Sequence, residues 1–289
     1  MFNTLMIDAN NLSSRVFFTG PVGGYSEKPD YDMMGYIIVD SIYRSMLKTK
    51  SNEVIIALDS TNVWRKDIFP RYKESRKKQR EKVKIDWSKF YGEQNKIFED
   101  ISRYLPFKVL QVDRTEADDV IGVIVLNYKN KSFVIISTDE DYKQLLSKRT
   151  KLYQPIKKKW VECSNPEKFI VMKCLGGQVK DGIFNVITPI DWPAEKRKPS
   201  LGEEKVRRII ERGYEDWLVS EGAVDRFDLN RQLIDFRCVP ENIKNDIIEK
   251  YKNYKLPNLE EAYNFFKQRN FKSYLEDFHR VENNLTRLY

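Results

Sequence analysis

Histidine occurs once in this sequence, as His279, and cysteine three times, at Cys163, Cys174 and Cys238, never as a Cys-x-x-Cys pair. The first scarcity all but removes Ser-His-Asp and Cys-His nucleophilic schemes, together with histidine-ligated zinc and non-haem iron. The second leaves no zinc or disulfide framework and points to a reducing compartment. Nor is there a run of about 18 apolar residues, the usual minimum for a membrane-crossing helix. The N-terminus, MFNTLMIDANN, has no basic region and its apolar run is cut by Asp8, so a cytoplasmic protein is expected. His279, in SYLEDFHRVEN, is expected on an exposed helix as an ordinary surface residue. If there is chemistry here, carboxylates must carry it.

Charge is what the chain has in quantity. Of its 289 residues 33% are charged and 41% hydrophobic, with 51 Lys and Arg against 43 Asp and Glu, a net +8. That describes a soluble protein with one large or two smaller domains and some attraction for polyanions. From Arg65 to Lys84, RKDIFPRYKESRKKQREKVK, ten cations face three acids. This +7 nearly equals the charge of the whole chain, so the basicity reads as localised. Such runs are more often solvated helices or loops than binding elements. Here Trp64, Phe69 and Tyr72 are interleaved with the cations, a mixture suited to a single strand of nucleic acid.

The first half reads as alternating strands and helices. Apolar runs of strand length occur at Thr4–Ile7, Val54–Leu58, Val109–Val112 and Phe133–Ile136. Helical patterns lie between them at Tyr31–Lys48, Trp87–Tyr104 and Glu116–Lys129. The alternation predicts an α/β fold with a parallel sheet. After about residue 165 strand signals stop and the chain reads as helical, which divides it into units over 1–165 and 166–289.

Each strand run is followed by acid: Asp8 in MIDAN, Asp59 in ALDS, Glu116, Asp118 and Asp119 in RTEADDV, Asp139 and Asp141 in STDED. Open α/β sheets place their sites at that end of the strands. RTEADDV alone is explained by a helix start, with Thr115 and Asp118 as a capping pair and acids favoured by the helix dipole. Four acidic strand ends on one edge would be a severe electrostatic penalty unless cations bind there. Oxygen ligands without histidine or thiolate favour Mg²⁺ or Mn²⁺. Farther on, SLGEEKVRRIIERG carries a Ser200–Glu203 capping box, with Lys205, Arg208 and Arg212 on one helix face and Val206, Ile209 and Ile210 on another.

The ordered set Asp8, Asp59, Glu116-Ala-Asp118-Asp119 and Asp139-x-Asp141 resembles the acidic signature of the 5′-nuclease, or flap endonuclease, superfamily, from about Leu5 to Leu256. The stretch LIDFRCVPENIKNDIIEKYKNYKLP at 233–257 is similar to the bacteriophage ribonuclease H branch. The resemblance implies a PIN-like parallel-sheet nuclease domain with a helical arch, then a helical domain with a helix-hairpin-helix element. It implies a 5′ to 3′ exonuclease and flap endonuclease with ribonuclease H activity, leaving a 5′-phosphate and a 3′-hydroxyl. The implied role is removal of RNA primers and 5′ flaps in phage DNA replication. A single-stranded-DNA-binding protein would accompany it, and a sliding clamp is left open.

Site residues follow from the same resemblance. Asp8, Asp59, Glu116, Asp118 and Asp139 would hold one divalent ion, with Asp119, Asp141 and Asp181 nearer a second. The family's Tyr-Lys-x-x-Arg motif falls on Tyr72, Lys73 and Arg76, with Lys73 and Arg76 at the reacting phosphate. Arg65, Lys66 and Lys77 would add contacts in the arch, and Lys205, Arg208 and Arg212 would hold duplex phosphates beside a turn that often binds K⁺. The implied state is a monomer.

Two departures matter. The family's Gly-Asp-x-x-Asp motif is here Gly177-Gln178-Val179-Lys180-Asp181, so an amide replaces a carboxylate. Glu140 stands where glycine is commoner, its side chain expected to turn outward. Two rival readings are a nucleic-acid-binding protein that has lost its chemistry and a phosphatase with an aspartyl nucleophile. The latter needs an acid two residues after Asp8, where Asn10 stands.

Overall fold

The computed structural model describes all residues except 1–3, 81, 194–195 and 197–198; of 77–79 it describes the backbone. Six strands form one sheet in the order β3-β2-β1-β4-β5-β6. They are β1 (Thr4–Asp8), β2 (Glu53–Leu58), β3 (Lys108–Gln111), β4 (Phe133–Ile136), β5 (Thr150–Gln154) and β6 (Lys159–Val161). The first five are parallel and β6 is antiparallel to β5. The chain builds outward from β1 through β2 to β3, then crosses to place β4 on the other side of β1. The crevice between the ends of β1 and β4 is therefore the switch point at which open sheets bind ligands.

Both faces of the sheet are covered, which is why its central strands read as continuous apolar runs. Leu5 and Ile7 of β1 belong to one core and Met6 to the other. Helices α1 (Ala9–Thr19), α2 (Tyr31–Thr49), α3 (Arg65–Ile68), α4 (Glu74–Arg80), α5 (Trp87–Tyr104) and α6 (Ala117–Asn127) are threaded between the strands. The first core takes α1, α2 and α5; the second takes α6.

Beyond the sheet come α7 (Pro166–Gly176), α8 (Glu203–Glu211), α9 (Tyr214–Ser220), α10 (Val224–Ile234) and α11 (Glu241–Lys252). The first four share a third core with Phe69 and Tyr72, at the foot of the basic segment. Ile243, Ile247 and Tyr251 of α11 return to the second face, and the segment from Ala262 to Leu288 packs on the first.

The expected strands and helices form within two residues of the bounds read from the sequence. Three details differ. The β5–β6 hairpin escaped because TKLYQ and KWV are short and lysine-rich. The N-cap of α6 is Glu116, whose N–H donates to Asp119 at N3 (3.1 Å), so the expected Thr115–Asp118 pair does not form. Likewise Gly202, not Ser200, caps α8, without a side-chain bond. His279 is exposed on a C-terminal helix, as expected.

Candidate metal centre and nucleic-acid interface

Asp8 ends β1 and caps α1, accepting the Asn11 N–H (2.9 Å) while Tyr142 donates its hydroxyl to the other oxygen (3.1 Å). Asp59 follows β2, accepts the Ala117 N–H (2.8 Å) and receives the side-chain amide of Asn10. Glu116 and Asp118 open α6, and Asp139 follows β4, its side chain capping the turn that carries Asp141 (3.0 Å). The sheet thus brings Asp8, Asp59, Glu116, Asp118 and Asp139 around one cleft of about 220 Å³, which Lys73, Arg76, Arg80 and Tyr91 also line.

These carboxylates raise one another's cost of ionising. Burial, then the charges of Asp59 and Asp139, push Asp8 up to about 7. Asp59 is raised by burial and Glu116; Asp139 by burial and Asp141. Asp118 is raised well above the usual range by burial, then by Glu116 and Asp119, and its buried Oδ1 has no hydrogen-bond partner. A group of hard oxygens that are mutually repelled, with one oxygen left unsatisfied, fits a divalent cation.

The basic segment is not uniformly a surface. Arg65 is 1% exposed and forms a two-pronged pair with Asp119 (2.8 and 2.7 Å), also reaching Glu116 (3.1 Å) and the Leu233 carbonyl (2.8 Å). It therefore has no access to nucleic acid, contrary to the expectation. Asp119 has a wholly buried carboxylate that takes Arg65 and the Trp64 indole (3.0 Å), and it lies within 4.8 Å of Glu116 and Asp118, a group of three that could hold a metal ion. Tyr72 is buried and donates to Glu116 (2.8 Å) rather than facing a nucleotide. Lys66 is exposed, and the Lys77 side chain lies outside the described residues.

Lys73 and Arg76 stand at the cleft. Lys73 has a positive φ of 58°, and its N–H donates to the Asp181 carbonyl (2.9 Å). Its ammonium meets Glu116 at 2.5 Å, and Arg76 pairs with Asp181. Gly182 (φ 77°) fits under this junction, where an added Cβ would come within 3.1 Å of the Arg71 carbonyl. Burial alone would raise Glu116, but Lys73 and Arg65 outweigh it and hold the carboxyl at about 2.

The second acidic group is differently surrounded. Gln178 donates its amide to Asp141 (2.7 Å), and Lys173 (3.2 Å) and Lys180 (3.6 Å) flank the same carboxylate. Burial raises Asp141, yet Lys180 and Lys173 bring it below the usual range. Glu140 pairs with Lys143 and points away from the cleft, as expected. Lys205 and Arg208 of α8 and Arg212, which caps its C-terminal end, are exposed while Val206 and Ile209 are buried; Arg208 also pairs with Glu204. Sequence reasoning missed Lys173 and Lys180 beside Asp141, and it read Asn10 only as a missing acid. Gln94 in turn donates to Asn10 (2.5 Å), so Asn10 is a half-buried support for Asp59.

A parallel sheet whose switch point gathers carboxylates, with Lys73, Arg76 and Arg80 lining the same cleft, has the arrangement of a phosphodiester-cleaving α/β nuclease. Residues 3–173 match the family described as 5′-3′ exonuclease, N-terminal resolvase-like domain, and 164–280 match T4 RNase H, C terminal; the chain belongs to this 5′-3′ exonuclease family. Ribonuclease H of Enterobacteria phage T4 is 31% identical over 255 residues, 83% of this chain and 84% of that protein. Flap endonuclease Xni of Aliivibrio fischeri is 28% identical over 180 residues, covering 58% and 62%. The fold matches the bacteriophage T5 flap endonuclease solved with DNA and metal ions, at TM-score 0.67 and 18% identity, over 87% of this chain and all of that one. The T5 5′-exonuclease with zinc gives the same TM-score and identity, over 88% and 100%. The chain is accordingly a nuclease of the 5′-3′ exonuclease and flap endonuclease kind. Among its described residues no helix is long and apolar enough to cross a membrane.

Proposed function

We propose that this nuclease removes RNA primers and 5′ flaps during phage DNA replication in the host cytoplasm, acting with Mg²⁺ or Mn²⁺. The observation that carries the reading is the cleft at the β1–β4 switch point, where Asp8, Asp59, Asp118 and Asp139 all resist ionisation. One ion would be held by these four and Glu116, a second by Asp141 and Asp181. Divalent ions held there would supply a lowered pKa for an attacking water and compensation of charge on the leaving oxygen. The chain's own residues do the rest. Lys73 and Arg76, which rest on Glu116 and Asp181, would offset negative charge as it develops on the scissile phosphate. Tyr91 and Arg80, which line the same cleft, would suit the neighbouring nucleotide. Lys205, Arg208 and Arg212 would position duplex without reading sequence, with K⁺ in the adjoining turn.

We further propose a monomer with a catalytic unit over 1–165 and a duplex-binding unit over 166–289, partnered by a single-stranded-DNA-binding protein and open to a sliding clamp. Digestion of a labelled 5′-flap substrate with and without Mg²⁺ tests the activity. Metal-dependent release of the flap supports it; binding without cleavage at any Mg²⁺ concentration would leave a non-catalytic binding protein.

A further inference from the structure

The stretch from Lys148 to Trp160, KRTKLYQPIKKKW, has six cations and no acid. It folds as the β5–β6 hairpin, so the basicity outside 65–84 is not evenly spread. Tyr153 and Trp160 face each other across the two strands, with rings 5.2 Å apart and edge-on. Lys48 lies 4.6 Å over the Tyr153 ring and Lys151 6.0 Å from that of Trp160. Trp160 is 46% and Ile156 59% exposed. Between this pair and the end of α2 runs a groove of about 250 Å³, bordered by Lys48, Thr49, Lys50, Ile136, Tyr153 and Trp160; no acidic residue lines it.

Edge lysines alone would be explained as protection against strand pairing. They do not require large apolar side chains in the open, and protection would be better served without them. The groove is also placed for the substrate. Ile136, on its wall, ends β4 three residues before Asp139, roughly 10 Å along an extended chain.

We infer that this hairpin groove binds a single strand of nucleic acid leaving the catalytic cleft, with bases against Tyr153 and Trp160 and phosphates along Lys48, Lys151 and Lys157–Lys159. A single strand is the fitting occupant because it presents base faces and closely spaced phosphates together. A duplex hides the former. An acidic peptide would use the cations and leave the two rings without a matching partner. The inference rests on the nucleic-acid substrate proposed above but not on the metal chemistry.

The test is fluorescence anisotropy in chelator, with a labelled duplex carrying an oligothymidine arm and the same duplex without it. Wild type is compared with Trp160→Ala, Trp160→Phe and the triple change Lys157→Ala, Lys158→Ala, Lys159→Ala, each checked for an unchanged urea transition. Trp160→Ala should weaken the armed substrate about tenfold, the effect of losing one stacked base, and Trp160→Phe should restore most of it. The triple variant should lower the salt slope by about 0.7 for each phosphate that is no longer neutralised. The arm-less duplex should bind all variants alike. Unchanged affinity for the armed substrate, or equal losses on both, overturns the inference, as does oligoglutamate displacing the arm more effectively than oligothymidine, which would assign the surface to a protein partner. Mg²⁺-dependent cleavage of the arm-less substrate reads the proposed activity separately, so either idea can fail alone.

Discussion

Arg65 and Asp119 meet as a two-pronged ion pair sealed from solvent, at 2.8 and 2.7 Å, joining the root of the basic segment to the first turn of α6. Through it the segment is anchored so that Tyr72 and Lys73 arrive at Glu116. Removing one partner of such a pair leaves an uncompensated charge in the core, at a cost of about 3–5 kcal/mol. Asp119→Ala should show a loss of that order in urea unfolding. Asp118→Asn should behave oppositely in chelator, becoming more stable because it removes a buried carboxylate charge that Glu116 and Asp119 repel, while losing cleavage. An Asp119 variant with normal stability and reduced Mg²⁺ affinity would return that residue to the ligands.

The pH dependence of the metal-free protein follows from Asp8. Its carboxyl titrates near 7 when folded, against an ordinary 3.8, so between those values the folded state keeps a proton that the unfolded state releases. That contribution is fully present below about 4 and is lost as pH rises through about 7. Glu116 and Glu53, both held at about 2, act in the other direction and in a different window: their contribution is present above their ordinary 4.5 and fades as pH falls toward 2. Thermal melts in chelator should therefore show a decline from about pH 4 to 7 that Asp8→Asn flattens. Around pH 6, Mg²⁺ binding should expel protons, visible as a heat that changes with the buffer's ionisation enthalpy. A buffer-independent heat would mean that Asp8 is already ionised.

Lys73→Ala and Arg76→Ala should each slow the chemical step by about 10²- to 10³-fold, the usual effect of losing one preorganised charge at a reacting group. Both side chains line the same cleft as Asp8 and Asp139. Single-turnover rates at saturating enzyme decide the matter: an unchanged maximal rate with weaker binding would reduce them to phosphate contacts.

How much of this could be read beforehand depended on the range of the interaction. β1 and β2 were visible because strands covered on both faces are apolar throughout, and the acids after them were visible because strand ends point to one edge. Arg65 was misread because nothing local distinguishes a buried cation from its exposed neighbour Lys66. Its partner is 54 residues away and becomes one only when α6 docks. The pairing of Asp119 with Arg65 was hidden for the same reason. Asp118 and Asp119 are adjacent in sequence, yet the turn of α6 sends one to the cleft and the other into the core. The β5–β6 hairpin was hidden by its own surface function, since lysine and short length both argue against strand.

Gln178→Asp concerns the one position where the second acidic group departs from its family. Gln178 donates an amide proton to Asp141, which Lys173 and Lys180 also flank. An aspartate is one methylene shorter and can only accept, so the variant loses this hydrogen bond and gains a like charge in a buried place. In chelator it should therefore melt below wild type. In Mg²⁺ the added charge should favour a cation, because hard ions respond to the number of charged ligands. The rise in melting temperature on adding Mg²⁺ should then exceed that of wild type, and half-maximal cleavage should require less Mg²⁺. The two lysines set the competing outcome. If they already neutralise Asp141 well enough, the new carboxylate will pair with Lys180 instead, and the two proteins will give superimposable Mg²⁺ titrations at fixed ionic strength. That result would show that position 178 does not control metal affinity. Adding Lys180→Met to the Asp variant would then separate the two causes: recovery of tighter Mg²⁺ binding would identify the ammonium group as the competitor, and no recovery would leave the second acidic group without a part in holding the ion.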